Sequence, residues 1–463
     1  MHSKLEEQKE PMFNDPLEHN GTLNKFEQML ASNRVLFFDA QEFEEIAHHY
    51  IDYGQINMAK RALTLALEQH PDNIELLLIK SELLIYDDSF EEAKRIHNKI
   101  EQWMPSSEEL LLQKATIYSK TKQHHKAIAL LNEALDFSDD PIEIWSLLGM
   151  ELLVMEDYAK AQEYFSKCLK ANPDDYQALY NVLYCYEQLN DAEQAIEILN
   201  VVLNENPYCE IAWHQLGKIY TQQQRIKDAL AAFDFAIISD DTFTGAYIER
   251  AKLLFQIGRI NEAIENYELT LGFSDPSAFL YHSIGQCHLA LGNHQLAINH
   301  FKKALDLEPS YEKSWLALID FYTEKGDLEK GQYYTKHALL ALRDSVALWS
   351  KSGFLYSTMT RYQEACHAFE QAVGLGNKEW TIWKTWIDNL LQLQEWDKAL
   401  NVCYLAKEYY PEETSLDLRM SGCYLRLGKT DESAYFLSTA KNSASLPSSI
   451  VAIFPELAAQ IRA

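Results

Sequence analysis

Apolar, small and polar positions follow a rhythm in this chain that is much longer than one helical turn. The stretch AINHFKKALDLEPSYEKSWLAL, residues 297–318, runs through helix formers, stops at a proline and resumes at a tryptophan. Close variants stand at 161, AQEYFSKCLKANPDDYQALYNV, and at 195, AIEILNVVLNENPYCEIAWHQL. Steps of 34 from Ala297 reach Ala59, Ala93, Ala127, Ala161, Ala195, Ala229, Ala263, Gly331, Ala365, Ala399 and Ser433. Twelve residues after an alanine come Pro71, Pro105, Pro173, Pro207, Pro309 and Pro411. Trp145, Trp213, Trp315, Trp349 and Trp383 share another phase, and Gly149, Gly217, Gly285 and Gly353 follow it four residues later. The pattern predicts twelve helical units that begin at residues 40, 74, 108, 142, 176, 210, 244, 278, 312, 346, 380 and 414, with no insertion between them.

A unit of this length is two amphipathic helices, and neither can bury its apolar face alone, so neighbouring units bury them for each other. Small residues at the glycine and alanine positions let helix backbones approach, and the aromatic positions fill the gaps. The turn inside each unit needs a left-handed residue, which suits Gly54, Gly258, Gly292, Gly326 and Gly428 and is tolerated by Asn190 and Asp88. The proline closes the second helix, because the residue before it avoids helical geometry. Lys80, Lys114 and Arg250 stand at an apolar position, with stems expected to pack and charges to reach water. Outside the array, Leu23, Phe26, Met29 and Leu30 form one apolar stripe, and Ile450, Ile453, Phe454, Leu457 and Ile461 form another, broken at Pro455. The expected organisation is a disordered tail over 1–21, a capping helix over 22–39, the array over 40–447 and a second cap over 448–463.

This period and pattern resemble the tetratricopeptide repeat, whose signature is W-x2-L-G-x2-Y, then Ala, Ala-x3-Phe and Pro. Residues 210–243 carry it as Trp213, Leu216, Gly217, Tyr220, Ala229, Phe233 and Ala236; residues 278–311 carry it as Tyr281, Ile284, Gly285, Ala297, Phe301, Ala304 and Pro309. The resemblance implies an all-α, right-handed α-solenoid whose first helices line a concave groove through unit positions 2, 5, 9 and 12. Carried over, the early groove is acidic, with Glu44, Glu75, Glu82, Glu109 and Glu143. Its middle holds Tyr180, Tyr184, His214, Lys218, Ile248, Lys252, Phe279, His282 and Gln286. Two lysines among aromatics suit an acidic, aromatic-containing peptide. The carboxylate clamp of chaperone-tail-binding relatives is missing: Lys384 is followed by Asp388, and Asn181 by Ile211 and Gln215.

Charge and chemistry narrow the function. Acidic residues outnumber basic ones 69 to 41, a net charge of -28, which opposes a nucleic-acid partner. The seven cysteines lie far apart with no CxxC pair, so they read as small apolar residues in a reducing, cytoplasmic setting. The N-terminus MHSKLEEQKEPMF lacks an apolar signal core, and no run has membrane-spanning length, so membrane insertion is not expected. His48–His49 and His124–His125 are adjacent pairs that diverge on a helix, and no HExxH, phosphate loop or GxSxG elbow occurs. The expectation is a scaffold or adaptor that is no enzyme, needs no cofactor or metal, and binds protein or peptide partners. The alternatives are a receptor whose array changes conformation on binding a small ligand or signalling peptide, an outer-membrane assembly component and an RNA-reading array.

Overall fold

The structure is a computed structural model that describes residues 16–32, 36–104, 107–273, 275–440 and 452–457. These form twenty-five α-helices, with no strand among the described residues. The helices after α1 (Pro16–Ser32) make twelve pairs, and every first helix begins where the 34-residue period starts a unit. The fold is an all-α repeat solenoid.

It divides into two compact units. Unit 1, Met1–Ser239, holds α1 and six pairs. Their first helices are α2 (Ala40–Asp52), α4 (Ile74–Tyr86), α6 (Glu108–Lys120), α8 (Ile142–Val154), α10 (Tyr176–Leu189) and α12 (Glu210–Gln222). Unit 2, Asp240–Ala463, holds the other six, with first helices α14 (Thr244–Gln256), α16 (Ala278–Ala290), α18 (Glu312–Glu324), α20 (Val346–Thr358), α22 (Trp380–Gln392) and α24 (Thr414–Arg426).

Helix pairing within a unit is set by side-chain size at one register. The glycine position of the first helix faces the residue sixteen further on, in the second. A Cβ on Gly149 or Gly285 would lie 2.7 Å from the ring of Phe165 or Phe301, and Gly217 and Gly353 are equally pressed by Phe233 and Phe369. All four rings are fully buried. In four other units the two sizes trade along the sequence, Ala47 with Leu63, Ala115 with Leu131, Ile319 with Thr335 and Ile387 with Cys403, while Leu183 and Leu199 are both large. Thr335, which breaks the aromatic pattern, is thus matched by a larger partner, as volume conservation in a dense core requires. Ser81 meets His97 in a polar version, with His97 Nε2 2.6 Å from Ser81 Oγ and 3.1 Å from Gln113 Oε1.

Two devices fix the turns. All twelve intra-pair turns place one residue at positive φ: the five expected glycines, Asp88 and Asn190, and also Lys122, Glu156, Gln224, Thr360 and Gln394. In the first of these turns Gln55 N–H donates to Tyr50 O and Gly54 N–H to Ile51 O, the bonding of a Schellman cap. Between pairs, Trp213 Nε1 donates to Pro207 O at 2.9 Å, Trp315 Nε1 to Pro309 O at 2.8 Å and Trp349 Nε1 to Arg343 O at 2.7 Å. Tyr247, at the same position, keeps the bond through its hydroxyl to Asp241 O at 3.1 Å. At these four units the side chain pins the turn that precedes its own helix, whereas Trp383 is buried with its Nε1 unpartnered.

Helix α1 starts at Pro16, where the sequence reading starts it at residue 22; residues 1–15 lie outside the described residues. Its Phe26 and Met29 are buried with Phe38, Phe43 and Tyr50 at the N-terminal end of unit 1. In unit 2, Phe454 and Leu457 are buried, while Ile450 and Ile461 lie outside the described residues. Lys114 is half-buried and pairs with Glu101 at 2.9 Å; Arg250, also half-buried, donates inward to Oδ1 of the buried Asn266 at 2.9 Å where its charge was expected to reach water, and Lys80 is exposed.

Candidate functional site

The nine middle groove residues divide between the units. Tyr180 and Tyr184 on α10, with His214 and Lys218 on α12, belong to unit 1; Ile248 and Lys252 on α14, with Phe279, His282 and Gln286 on α16, belong to unit 2.

In unit 1 the first helices show a graded surface. Its acidic end is real in space as well as in sequence. Burial holds the Glu109 carboxyl above the usual range, and the charges of Glu82 on α4 and Glu44 on α2 push the same way, against His48 and a hydrogen bond from Gln113. That bond, Gln113 Nε2 to Glu109 Oε1 at 3.2 Å, is matched by a second to Leu78 O at 3.1 Å. Beyond the carboxylates come apolar side chains left in water: Met150 on α8, 38% exposed, Tyr180, 46%, and Tyr184, 43%. Tyr184 meets Tyr158 edge-on at 6.0 Å, and Asn181 Nδ2 lies 3.6 Å from Met150 Sδ, so the patch is held in shape without being covered. Lys218 is exposed, and the half-buried His214 ring lies 6.1 Å from that of Phe233.

In unit 2 two of the expected ligand groups, Lys252 and His282, have partners within the protein itself. Lys252 Nζ donates to Glu249 Oε1 at 2.7 Å and sits 5.5 Å from the centre of the Phe279 ring. His282 departs from the groove reading: it is buried, its Nδ1 shares a 3.0 Å hydrogen bond with Ser314 Oγ, and its ring packs 5.4 Å from those of Phe301 and Tyr311. Burial, with a smaller push from Lys313, lowers its pKa to about 4, so it is a neutral packing residue. Gln286 is exposed, and Ile248 and Phe279 are half-buried.

Several polar groups escaped the sequence reading. Arg419 on α24 is fully buried and grips Asp388 on α22 through Nε at 2.8 Å and Nη2 at 3.1 Å, with Nη1 on Ser415 O at 3.0 Å. The Asp388 that displaces the chaperone-tail clamp thus serves as a structural counter-ion. His124 Nδ1 lies 2.8 Å from Glu151 Oε2, which separates it from its neighbour His125. Among the described residues no group of three or more His, Cys, Asp or Glu is placed to hold a metal. All seven cysteines are free, and burial pushes Cys168, Cys185 and Cys287 up to about 11, far from a reactive thiolate. No helix among the described residues is long and apolar enough to cross a membrane.

Residues 108–141, 152–218 and 278–311 each match a sequence profile described as tetratricopeptide repeat. The BBSome complex member BBS4 of Bos taurus is 22% identical over 269 residues, 57% of this chain and 44% of that one, so the chain spans less than half of that relative's length. A TPR repeat-containing protein of Methanocaldococcus jannaschii is 22% identical over 398 residues, 72% of this chain and 69% of its own. Among solved structures, the APC/C hetero-tetramer Cut9-Hcn1 is 15% identical over 88% of this chain and 93% of that chain, with a TM-score of 0.35, too low for an argument from shape. Two of the profile matches, 108–141 and 278–311, share both boundaries with units set by the 34-residue period and built as helix pairs, and on that agreement the chain belongs to the tetratricopeptide-repeat proteins.

Proposed function

We propose that the chain is a non-catalytic adaptor that binds a protein segment along the first-helix face of its repeats, with Met150, Tyr180 and Tyr184 of unit 1 at the centre of the contact. The observation that carries this is the exposure of Met150, Tyr180 and Tyr184 side by side on α8 and α10, in a fold whose repeat phenylalanines are fully buried. Aromatic side chains kept in water by a rigid scaffold supply contact area with little entropy left to lose. The adjoining carboxylates Glu44, Glu82 and Glu109 favour a segment that is apolar with Lys or Arg beside it, and the net charge of -28 would speed its approach. This departs from the acidic peptide expected from the lysines, because the carboxylates Glu44, Glu82 and Glu109 gather on the first-helix face of the same unit. On the same reading residues 22–39 and 448–463 close the ends of the array, and a cytoplasmic setting is supported by seven cysteines that are all unpaired.

The test is site-specific photo-crosslinking in the full chain. A crosslinker at Tyr184 should capture a partner that one at Val201, on the second helix α11 (Ala192–Glu205) and 42% exposed, does not. Tyr180→Ala with Met150→Ala should abolish that capture. Equal capture from both positions, or capture from Val201 alone, would move the contact off the first-helix face.

A further inference from the structure

The last repeat breaks the glycine rhythm by one residue. In α24 the usual glycine position holds Ser421, whose hydroxyl donates to Ser433 O at 2.9 Å, and the glycine stands next to it, at Gly422. Glycine inside a helix lowers its stability, so it needs a packing reason. Here the reason comes from outside the repeat: a Cβ on Gly422 would lie 2.5 Å from Cδ2 and Cε2 of Phe454. Phe454 is fully buried and packs 5.8 Å from Trp396, the first residue of α23 (Trp396–Tyr409). Leu457, one turn on, is also fully buried, and its N–H donates to Phe454 O at 3.1 Å.

The charged group between these anchors is read as well. Arg426, one turn after Gly422, meets Glu456 Oε1 through Nη1 at 3.2 Å and donates from Nη2 to Ile453 O at 3.2 Å. Both side chains of this ion pair remain partly in water, at 38% and 47% exposure. Two buried apolar anchors and a rim charge pair that also holds a backbone carbonyl make the anatomy of a short-peptide interface. Helix α25 ends at Ala440, so the contact is intramolecular and governed by an effective concentration that an outside segment can compete with.

We propose that Gly422, Arg426 and Trp396 form a recognition slot on unit 2 for a partner segment bearing an aromatic residue, then an acid, then leucine, and that Phe454–Leu457 occupies it in cis as a competitor. The slot is independent of the unit 1 face.

A fluorescent peptide of residues 450–460, titrated by anisotropy against the full chain, tests this. Wild type should bind it weakly, because the cis segment competes. Glu456→Arg, a substitution at a half-exposed position, should bind it at least about tenfold more tightly, the gain expected when the competent fraction rises. Gly422→Val added to that variant should remove the gain, and so should a peptide with alanine in place of phenylalanine. Phe454→Ala/Leu457→Ala provides a second opened chain, with helix content checked by circular dichroism. Equal binding to wild type and both opened chains, or binding that survives Gly422→Val, would overturn the proposal. So would a concentration-dependent wild-type dimer abolished by Phe454→Ala, which would put a second copy in the slot.

Discussion

Replacing Gly285 by alanine is the sharpest test of the size rule that sets each helix pair. Alanine is the better helix former by about 1 kcal/mol, so helix propensity alone makes Gly285→Ala stabilising. The packing says the opposite. The new methyl would sit 2.7 Å from both Cδ1 and Cε1 of Phe301, against an ordinary carbon contact of about 3.5–4.0 Å, so ring or helix must retreat by about 1 Å. The ring has little room, since it is fully buried with His282 5.4 Å away, and the methyl itself is 3.3 Å from Ala297 O. Overpacking of this kind costs roughly 1–3 kcal/mol, and the upper part of that range applies, leaving a net loss of about 1–2 kcal/mol. Repeat arrays need not unfold in one step, so the assay is native-state hydrogen exchange over residues 278–307, which reads local opening. Phe301→Leu in the same chain should recover most of the loss, because alanine already faces leucine at Ala47–Leu63 and Ala115–Leu131. Gly331→Ala is the control, since the nearest atom to its Cβ is Thr323 Oγ1 at 3.2 Å and the next lies at 3.5 Å. Protection unchanged or raised in Gly285→Ala, or no recovery in the double variant, would refute the reasoning.

Thr360 is β-branched and held at φ 58°, where glycine is at ease; Thr360→Gly should raise stability by about 0.5–1 kcal/mol despite the freer unfolded chain, read as greater exchange protection of α20 and α21 (Tyr362–Gly374). His282 titrates near 6.5 when unfolded and at about 4 when folded, so the unfolded chain takes up the proton first. Its contribution is intact above about pH 6.5, falls by roughly 3 kcal/mol as pH drops toward 4 and loses nothing further below that; urea titrations across this window should be flatter for His282→Gln. Arg419→Ala should cost about 3 kcal/mol or more by leaving Asp388 without its counter-ion, while Arg419→Met with Asp388→Leu should regain most of it, monitored by tryptophan fluorescence in urea.

The fold was legible because a solenoid makes its contacts between neighbours in sequence, so the period of the contacts is the period of the chain. Helix starts, tryptophan positions and the Gly–Phe register all followed from steps of 34. The positive-φ residues followed only in part. Lys122, Glu156, Gln224, Thr360 and Gln394 carry no sign of left-handed geometry; the cap bonding imposes it, and the surrounding helices meet the cost. Register also said which residues share a face, but not what each side chain does there. Lys252 found Glu249 three residues back on its own helix while staying partly in water, and His282 found Ser314 on the next repeat and is buried there.

In a chain this regular, residues that keep the phase report the building unit and are poor witnesses of function. The informative residue is one that breaks phase while the fold persists, because another demand has outweighed the repeat's own. Thr335 breaks it and is answered inside its own pair by Ile319, so it reports only packing. Ser81 breaks it and is answered by His97 and Gln113, again within neighbouring helices. Gly422 is different, because its answer, Phe454, comes from beyond the last repeat and brings with it a carboxylate for Arg426. A glycine one residue out of step was therefore visible in the sequence from the start, and its meaning lay in the distance along the chain to the side chain that fills it.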